Sequence, residues 1–195
     1  MFDLTDNLAD TKKIYIVLSM SGTGFSKFLR IMTKKPYTHV SMSLLEDISL
    51  MYSFGRRSMI FPIRSGFVYE TFEKGVYKKY NAYGDIFEFS VSEEQLTRLI
   101  NAISDFKKEY KKYKYNFIGL PFMLFGKSFI RKYHFVCSQF VAYILEQSSI
   151  YKFDKGWSIV RPMDLLEIQN LKLIYSGDLR TYYKSFIKDN ISVPV

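Results

Sequence analysis

The chain has 195 residues, the length of one ordinary domain. At 48% hydrophobic and 18% aromatic residues, it can bury roughly two-thirds of its unfolded surface, which excludes general disorder and removes any need for disulfides or a structural metal. Twenty-eight Lys and Arg against 19 Asp and Glu leave a net charge of +9, which suits an anionic partner and plain solubility alike.

Residues 1–12 are acidic and polar rather than basic then apolar, so no secretory signal is visible and a cytoplasmic location is expected. Residues 14–19 form a short, β-branched apolar run bounded by lysines and by Ser21, Gly22 and Gly24, the pattern of a buried strand. Residues 23–33 then place Phe25, Phe28, Leu29 and Met32 at helical spacing, and Pro36 stops that helix. In residues 39–44, His39, Ser41 and Ser43 alternate with Val40, Met42 and Leu44, so His39 belongs to the polar face of a strand. Glu46 and Asp47 mark a turn, and residues 50–54 return as the second strand of a hairpin ended by Gly55. Residues 61–72 and 85–91 add strand-like pieces, the first weakened by Pro62 and Gly66.

Ser92 with Gln95 is a capping-box signature. The stripe Leu96, Leu99, Ile100, Ile103, Phe106 and Tyr110 that follows predicts a helix of about five turns, with lysines at its far end to complement the dipole. Residues 117–125 are apolar but about half the length of a membrane span, and they contain Gly119 and Pro121. A second helix is expected over residues 137–147, and Arg161, Pro162 and Met163 open a third. Residues 171–175 read as a late strand. The pattern predicts a single α+β domain over residues 1–195, with a mostly antiparallel sheet and grouped helices.

Cys137 is the one cysteine, so no internal disulfide forms; with two histidines, a four-ligand zinc site would have to recruit carboxylates, and no metal or other cofactor is expected. Cys137 stands where an irregular stretch enters a helix, a position that favours thiolate over thiol. The alternative is a buried cysteine acting as a small hydrophobe. A nucleophilic thiol needs an imidazole within reach and a third group to hold the ring. His134 lies three residues upstream, too close along the chain for most attack geometries, whereas His39 has a rigid strand mount. The segment from Gly22 to Lys27 follows a strand as a phosphate cradle would, but it fits neither the dinucleotide fingerprint nor the P-loop, and is read as a turn at the rim of the cleft.

Tyr37-Thr38-His39-Val40-Ser41, a hairpin, a long helix, Tyr115-Asn116 with Gly119, and His134-Phe135-Val136-Cys137-Ser138-Gln139-Phe140-Val141 together resemble the circularly permuted papain-fold cysteine hydrolases. This is the NlpC-like branch that includes the lecithin:retinol acyltransferases. The likeness runs over about residues 14–166 and includes Pro162, Asp164 and Leu165. It implies a permuted papain-like fold in which the nucleophile helix packs against the sheet. Within it Cys137 matches the nucleophile, His39 the general base and Ser53 the ring-orienting position, with Glu70 or Glu46 as alternatives to the serine. The implied activity is that of a cysteine-dependent peptidase, amidase or acyltransferase acting through a thioester on an amide or ester of peptide or lipid.

For that chemistry the backbone N–H of Cys137 is one oxyanion donor and the hydroxyl of Tyr37 or Tyr15 a candidate second, which makes Tyr37 a substrate-binding candidate. Phe122, in the apolar segment before Cys137, either joins the core or lines an acyl groove and meets a membrane surface, helped by Lys127, Arg131 and Lys132. The rival reading is a non-enzymatic basic protein that uses Arg56, Arg57 and the lysines of residues 107–114 to bind anionic lipid or nucleic acid. Lysines at a helix end need no ligand and no nucleic-acid motif is visible, so no nucleic acid is expected.

Overall fold

The computed structural model describes residues 11–22, 31, 35–58, 61 and 63–191. The expected early helix at residues 23–33 lies almost wholly outside them, as does the turn at residues 22–27 apart from Gly22. The fold is α+β. Six strands form an antiparallel sheet: β1 (Thr11–Ser21), β2 (His39–Ser43), β3 (Met51–Arg56), β4 (Ser65–Glu70), β5 (Ala82–Ser92) and β8 (Lys172–Asp178), in the order β4-β3-β2-β1-β5-β8. Two short strands, β6 (Lys114–Tyr115) and β7 (His134–Phe135), pair in parallel outside it. The helices are α1 (Gly75–Lys79), α2 (Glu93–Lys108), α3 (Gly119–Leu124), α4 (Cys137–Gln147) and α5 (Leu179–Ile191), with 3-10 turns at Trp157–Ile159 and Pro162–Glu167.

Alternation along β1 serves two cores rather than one. Ile14, Ile16 and Leu18 join Val40, Met42, Phe54 and Phe67 beneath α2 and α4, while Tyr15 and Val17 join Met51, Ile86, Tyr77 and Leu179 on the opposite face. Hence the polar face of β2 is also covered: Ser41 and Ser43 are fully buried and must find partners inside the protein. Phe54 is fully buried and centres the larger core, its ring 5.3 Å from Phe140, 5.4 Å from Phe135 and 5.9 Å from Phe106.

Several sequence expectations shift. β3 continues through Gly55 and Arg56, β5 begins three residues earlier, and α2 stops at Lys108 so that Tyr110 falls beyond it. The capping box is present, Ser92 Oγ accepting from Gln95 N–H at 3.1 Å and Gln95 Oε1 from Ser92 N–H at 2.9 Å. Ile100, placed on the apolar stripe, is 46% exposed, because Leu99 and Ile103 fill the side facing the sheet. The third helix is a 3-10 turn, Asp164 accepting from the Arg161 N–H at 2.7 Å. The elements α1, α3, β6 and β7 are too short to carry a period, and α5 was not among the expected elements although Leu179, Tyr182, Tyr183 and Phe186 stand at helical spacing. Among the described residues no helix is long and apolar enough to cross a membrane.

Phe54→Ala should lower unfolding free energy by about 3–5 kcal/mol through lost burial plus a cavity, read as a shifted urea midpoint. Ile100→Ala should cost less than about 1 kcal/mol; equal costs would contradict this division of the helix.

Candidate active site

Side chains from β1, β2, β4, β6, α1 and α4 converge on one buried network. Val136 has extended backbone and Cys137 begins α4, with Gln139 Oε1 accepting from the Val136 N–H at 3.0 Å. Gln139 Nε2 in turn donates to the Ser158 carbonyl at 2.6 Å, and Ser138 Oγ to the Val160 carbonyl at 2.6 Å. These bonds fix the start of the helix to the loop that follows it. Cys137 is buried and its thiol is free, and α4 lies against β2 and β3.

His39 opens β2. Its backbone is paired with Ser19 of β1, but the β2–β3 ladder covers Met42↔Tyr52 and Ser43↔Met51 only, so the His39 end of β2 has no ladder partner on that side. A side-chain hydrogen bond joins His39 to Cys137. The far ring nitrogen, Nε2, lies 2.9 Å from Glu70 Oε1 and 3.2 Å from Oε2. A carboxylate accepts, so Nε2–H donates and Nδ1 is the nitrogen left for the sulfur. The ring keeps 23% of its side-chain surface and Glu70 11%, so the pair sits at the edge of the interior.

Behind the ion pair stand more hydroxyls. Ser41 Oγ donates to Glu70 Oε2 and lies 3.2 Å from His39 Nε2. The Tyr77 hydroxyl of α1 bonds to Ser41 and, at 3.1 Å, to Ser19 Oγ. The Tyr115 hydroxyl also hydrogen-bonds to the Cys137 side chain. The parallel register Tyr115↔Phe135 brings it there, with Asn116 N–H donating to the Phe135 carbonyl at 3.0 Å.

The electrostatics follow from this enclosure. Burial alone would lower the His39 pKa, but the charges of Glu70 and Cys137 and their hydrogen bonds outweigh it and hold the imidazole well above its ordinary 6.5. For Tyr115 burial acts first and the neighbouring sulfur second, both raising the phenol well above its usual range, so its proton stays available for donation. Tyr77 is pushed up to about 12 by burial and by Glu70, against the opposing effects of His39 and the two serines.

Of the residues expected from the sequence, Cys137 and His39 are brought together and Ser53 is not part of the pairing. Ser53 is fully buried on β3 and donates to the Val40 carbonyl at 2.6 Å; its short side chain is occupied in bridging the end of the β2–β3 ladder. Glu70 holds the ring instead, reaching past Gly55, where an added Cβ would stand 3.5 Å from Glu70 Oε1 and 3.9 Å from His39 Cε1. Glu46 sits in the turn after β2, its carbonyl accepting from the Tyr182 hydroxyl at 3.0 Å. The Tyr37 hydroxyl goes to Asp85, and Tyr15 is buried in the opposite core. The tyrosine hydroxyl that meets the sulfur is that of Tyr115, whose signal was the Tyr115-Asn116 pair. His134 Nδ1 donates to the Lys132 carbonyl at 2.7 Å. Phe122 lies on α3, 41% exposed and stacked on Phe129 at 4.8 Å.

The basic residues of the rival reading are partly committed. Arg57 donates to the carbonyls of Phe67, Tyr110 and Tyr113 and lies 4.1 Å over the Tyr110 ring. Lys108 and Lys112 pair with Asp105 and Glu109. Among the described residues no three of His, Cys, Asp and Glu gather to hold a metal ion. No protein-family model, curated protein or solved structure matches this chain.

The raised His39 pKa fixes the sign of a pH effect. Stabilisation from charged His39 is fully present below pH 6.5 and is lost as pH rises through the raised value. The rate of Cys137 alkylation by anionic iodoacetate, divided by that with neutral iodoacetamide, reports this charge. The ratio should stay high well above pH 6.5 and then fall. Glu70→Gln should move the fall to lower pH and Ser53→Ala should leave it in place; the reverse ranking would restore the serine as ring partner.

Proposed function

We propose that this chain is a cysteine-dependent acyl-transfer enzyme, a peptidase, amidase or acyltransferase of the circularly permuted papain-like kind. One observation carries the reading: a single imidazole is hydrogen-bonded to the only thiol and to a carboxylate. A structural cysteine has no use for a positioned base, and a structural histidine–glutamate pair has no use for a thiol at a helix start. The antiparallel sheet with α4 packed on β2 and β3 is the arrangement that the resemblance implies.

In this mechanism the Cys137 proton already rests on His39, and the thiolate attacks the carbonyl carbon of an amide or ester. A C–S bond forms as the carbonyl π pair moves to oxygen. The oxyanion lies against the Cys137 backbone N–H at the start of α4 and the Tyr115 O–H, both donors in place before reaction. Collapse breaks the bond to the amine or alcohol, which leaves with the proton from His39. Water, or another acceptor, then gives its proton to His39 and attacks the thioester, and the sulfur departs. Glu70 keeps Nε2 occupied throughout, so Nδ1 faces the sulfur and the imidazolium is stabilised when it forms. A working free thiol suits the reducing cytoplasm.

Two probes test this. Iodoacetamide at neutral pH should label Cys137 faster than a cysteine in an unstructured peptide, and His39→Ala should remove the difference. Turnover of p-nitrophenyl acetate should disappear in Cys137→Ala, fall about 10²–10⁴-fold in His39→Ala and fall about 10²–10³-fold in Tyr115→Phe. Because alkylation creates no oxyanion, Tyr115→Phe should change labelling far less than turnover. An ordinary labelling rate that is indifferent to His39 would end the enzymatic reading.

A further inference from the structure

Between Glu109 and Glu146 the chain carries no acidic residue, while Lys111, Lys112, Lys114, Lys127, Arg131 and Lys132 fall inside that stretch. Among the described residues, the same stretch contains the largest gathering of exposed apolar side chains. Ile118, Phe122 and Phe125 are 55%, 41% and 80% exposed and, at i, i+4 and i+7, share one face of the turn built around α3. Gly119 and Met123 take the opposite, buried face. Ile130, 62% exposed, follows in the same segment.

This exposure is built rather than loose. Asn116 is buried and closes the segment: its Oδ1 accepts from Gly119 N–H at 3.1 Å and its Nδ2 donates to the Phe129 carbonyl at 3.1 Å. An added Cβ at Gly119 would collide with that amide. From outside, Arg161 donates to the Leu124 carbonyl at 3.0 Å and Ser128 Oγ to Ser158 Oγ at 2.9 Å. Four hydrogen bonds thus hold an apolar ridge toward solvent, although burial of those side chains would favour folding.

We infer that this ridge docks the protein on an anionic lipid bilayer. Exposed Phe and Ile on one helical face, with Lys127 and Lys132 exposed beside them and no carboxylate in the stretch, match an interface whose acyl boundary takes apolar groups and whose headgroups take cations. A nucleic acid would use the cations but has no use for Ile118 and Ile130, which offer no stacking plane. The surface is continuous with the candidate site: the exposed Phe117 ring lies 4.8 Å from the Tyr115 ring, whose hydroxyl meets Cys137. Docking therefore sets the sulfur of the acyl-transfer reading close to the bilayer. Docking does not itself require the thiol, so the two ideas fail separately.

The test is sedimentation of the full chain with phosphatidylcholine vesicles, with and without phosphatidylserine. The wild-type chain and Cys137→Ala should sediment equally with the anionic vesicles, weakly with neutral ones, and less as salt rises. Phe125→Ser, at a site with almost no folded contacts to lose, should weaken binding roughly ten-fold, and Lys127→Ser with Lys132→Ser should weaken it on anionic vesicles alone. Phe125→Trp keeps the apolar group, so it should bind as wild type and shift its fluorescence to the blue on anionic vesicles. Absence of sedimentation, or sedimentation unaffected by Phe125→Ser, would overturn the proposal. So would an unshifted Phe125→Trp, or tighter binding to an oligonucleotide that ignores Phe125.

Discussion

Everything chemical in this molecule depends on the His39 ring being held at both nitrogens. An imidazole with one free edge turns about χ2 and presents either nitrogen; one pinned by a carboxylate presents a single nitrogen to its other neighbour. Glu70 provides the pin at 2.9 Å, and its charge and that of Cys137, with their hydrogen bonds, together outweigh the cost of removing the ring from water. The network behind it, Ser41, Tyr77 and Ser19, then leaves the carboxylate little freedom to rotate away.

The fold makes this possible by covering both faces of its sheet. With the polar face of β2 exposed, Glu70 and Ser41 would be hydrated and their hold on the ring weakened by screening. The second core of Tyr15, Val17, Met51, Phe72 and Tyr77 removes most of that water. α1, five residues long, contributes little burial of its own, yet it delivers Tyr77 to Ser41. On the opposite face, the aromatic cluster around Phe54 seats α4 on β2 and β3 and so fixes where the sulfur stands.

Much of this frame was legible in the sequence because it is written in local periodicity. The alternation of residues 39–43, the Ser92–Gln95 box and the apolar face of residues 137–147 each specify an element without reference to the rest of the chain. The pairing of Cys137 with His39 was legible through the order and context of the two residues, not through spacing. Glu70 was legible only as an alternative, because its place depends on register across two strand pairs, Ser43↔Met51 and Met51↔Glu70, and on the missing side chain at Gly55. A match by strand position favoured Ser53, which lies nearer in the chain but gives its hydroxyl to the Val40 carbonyl. Tyr77 was hidden among 16 tyrosines and Tyr115 was named without a role, since what they do arises from a five-residue helix and a two-residue strand, elements too short to leave a pattern.

The most direct test of the central claim is nitrogen-15 NMR of the two histidine rings as a function of pH. The account predicts that His39 stays doubly protonated well above pH 6.5, and that Cys137→Ala and Glu70→Gln each bring its titration down. A His39 ring that titrates near 6.5 and ignores both substitutions would contradict it.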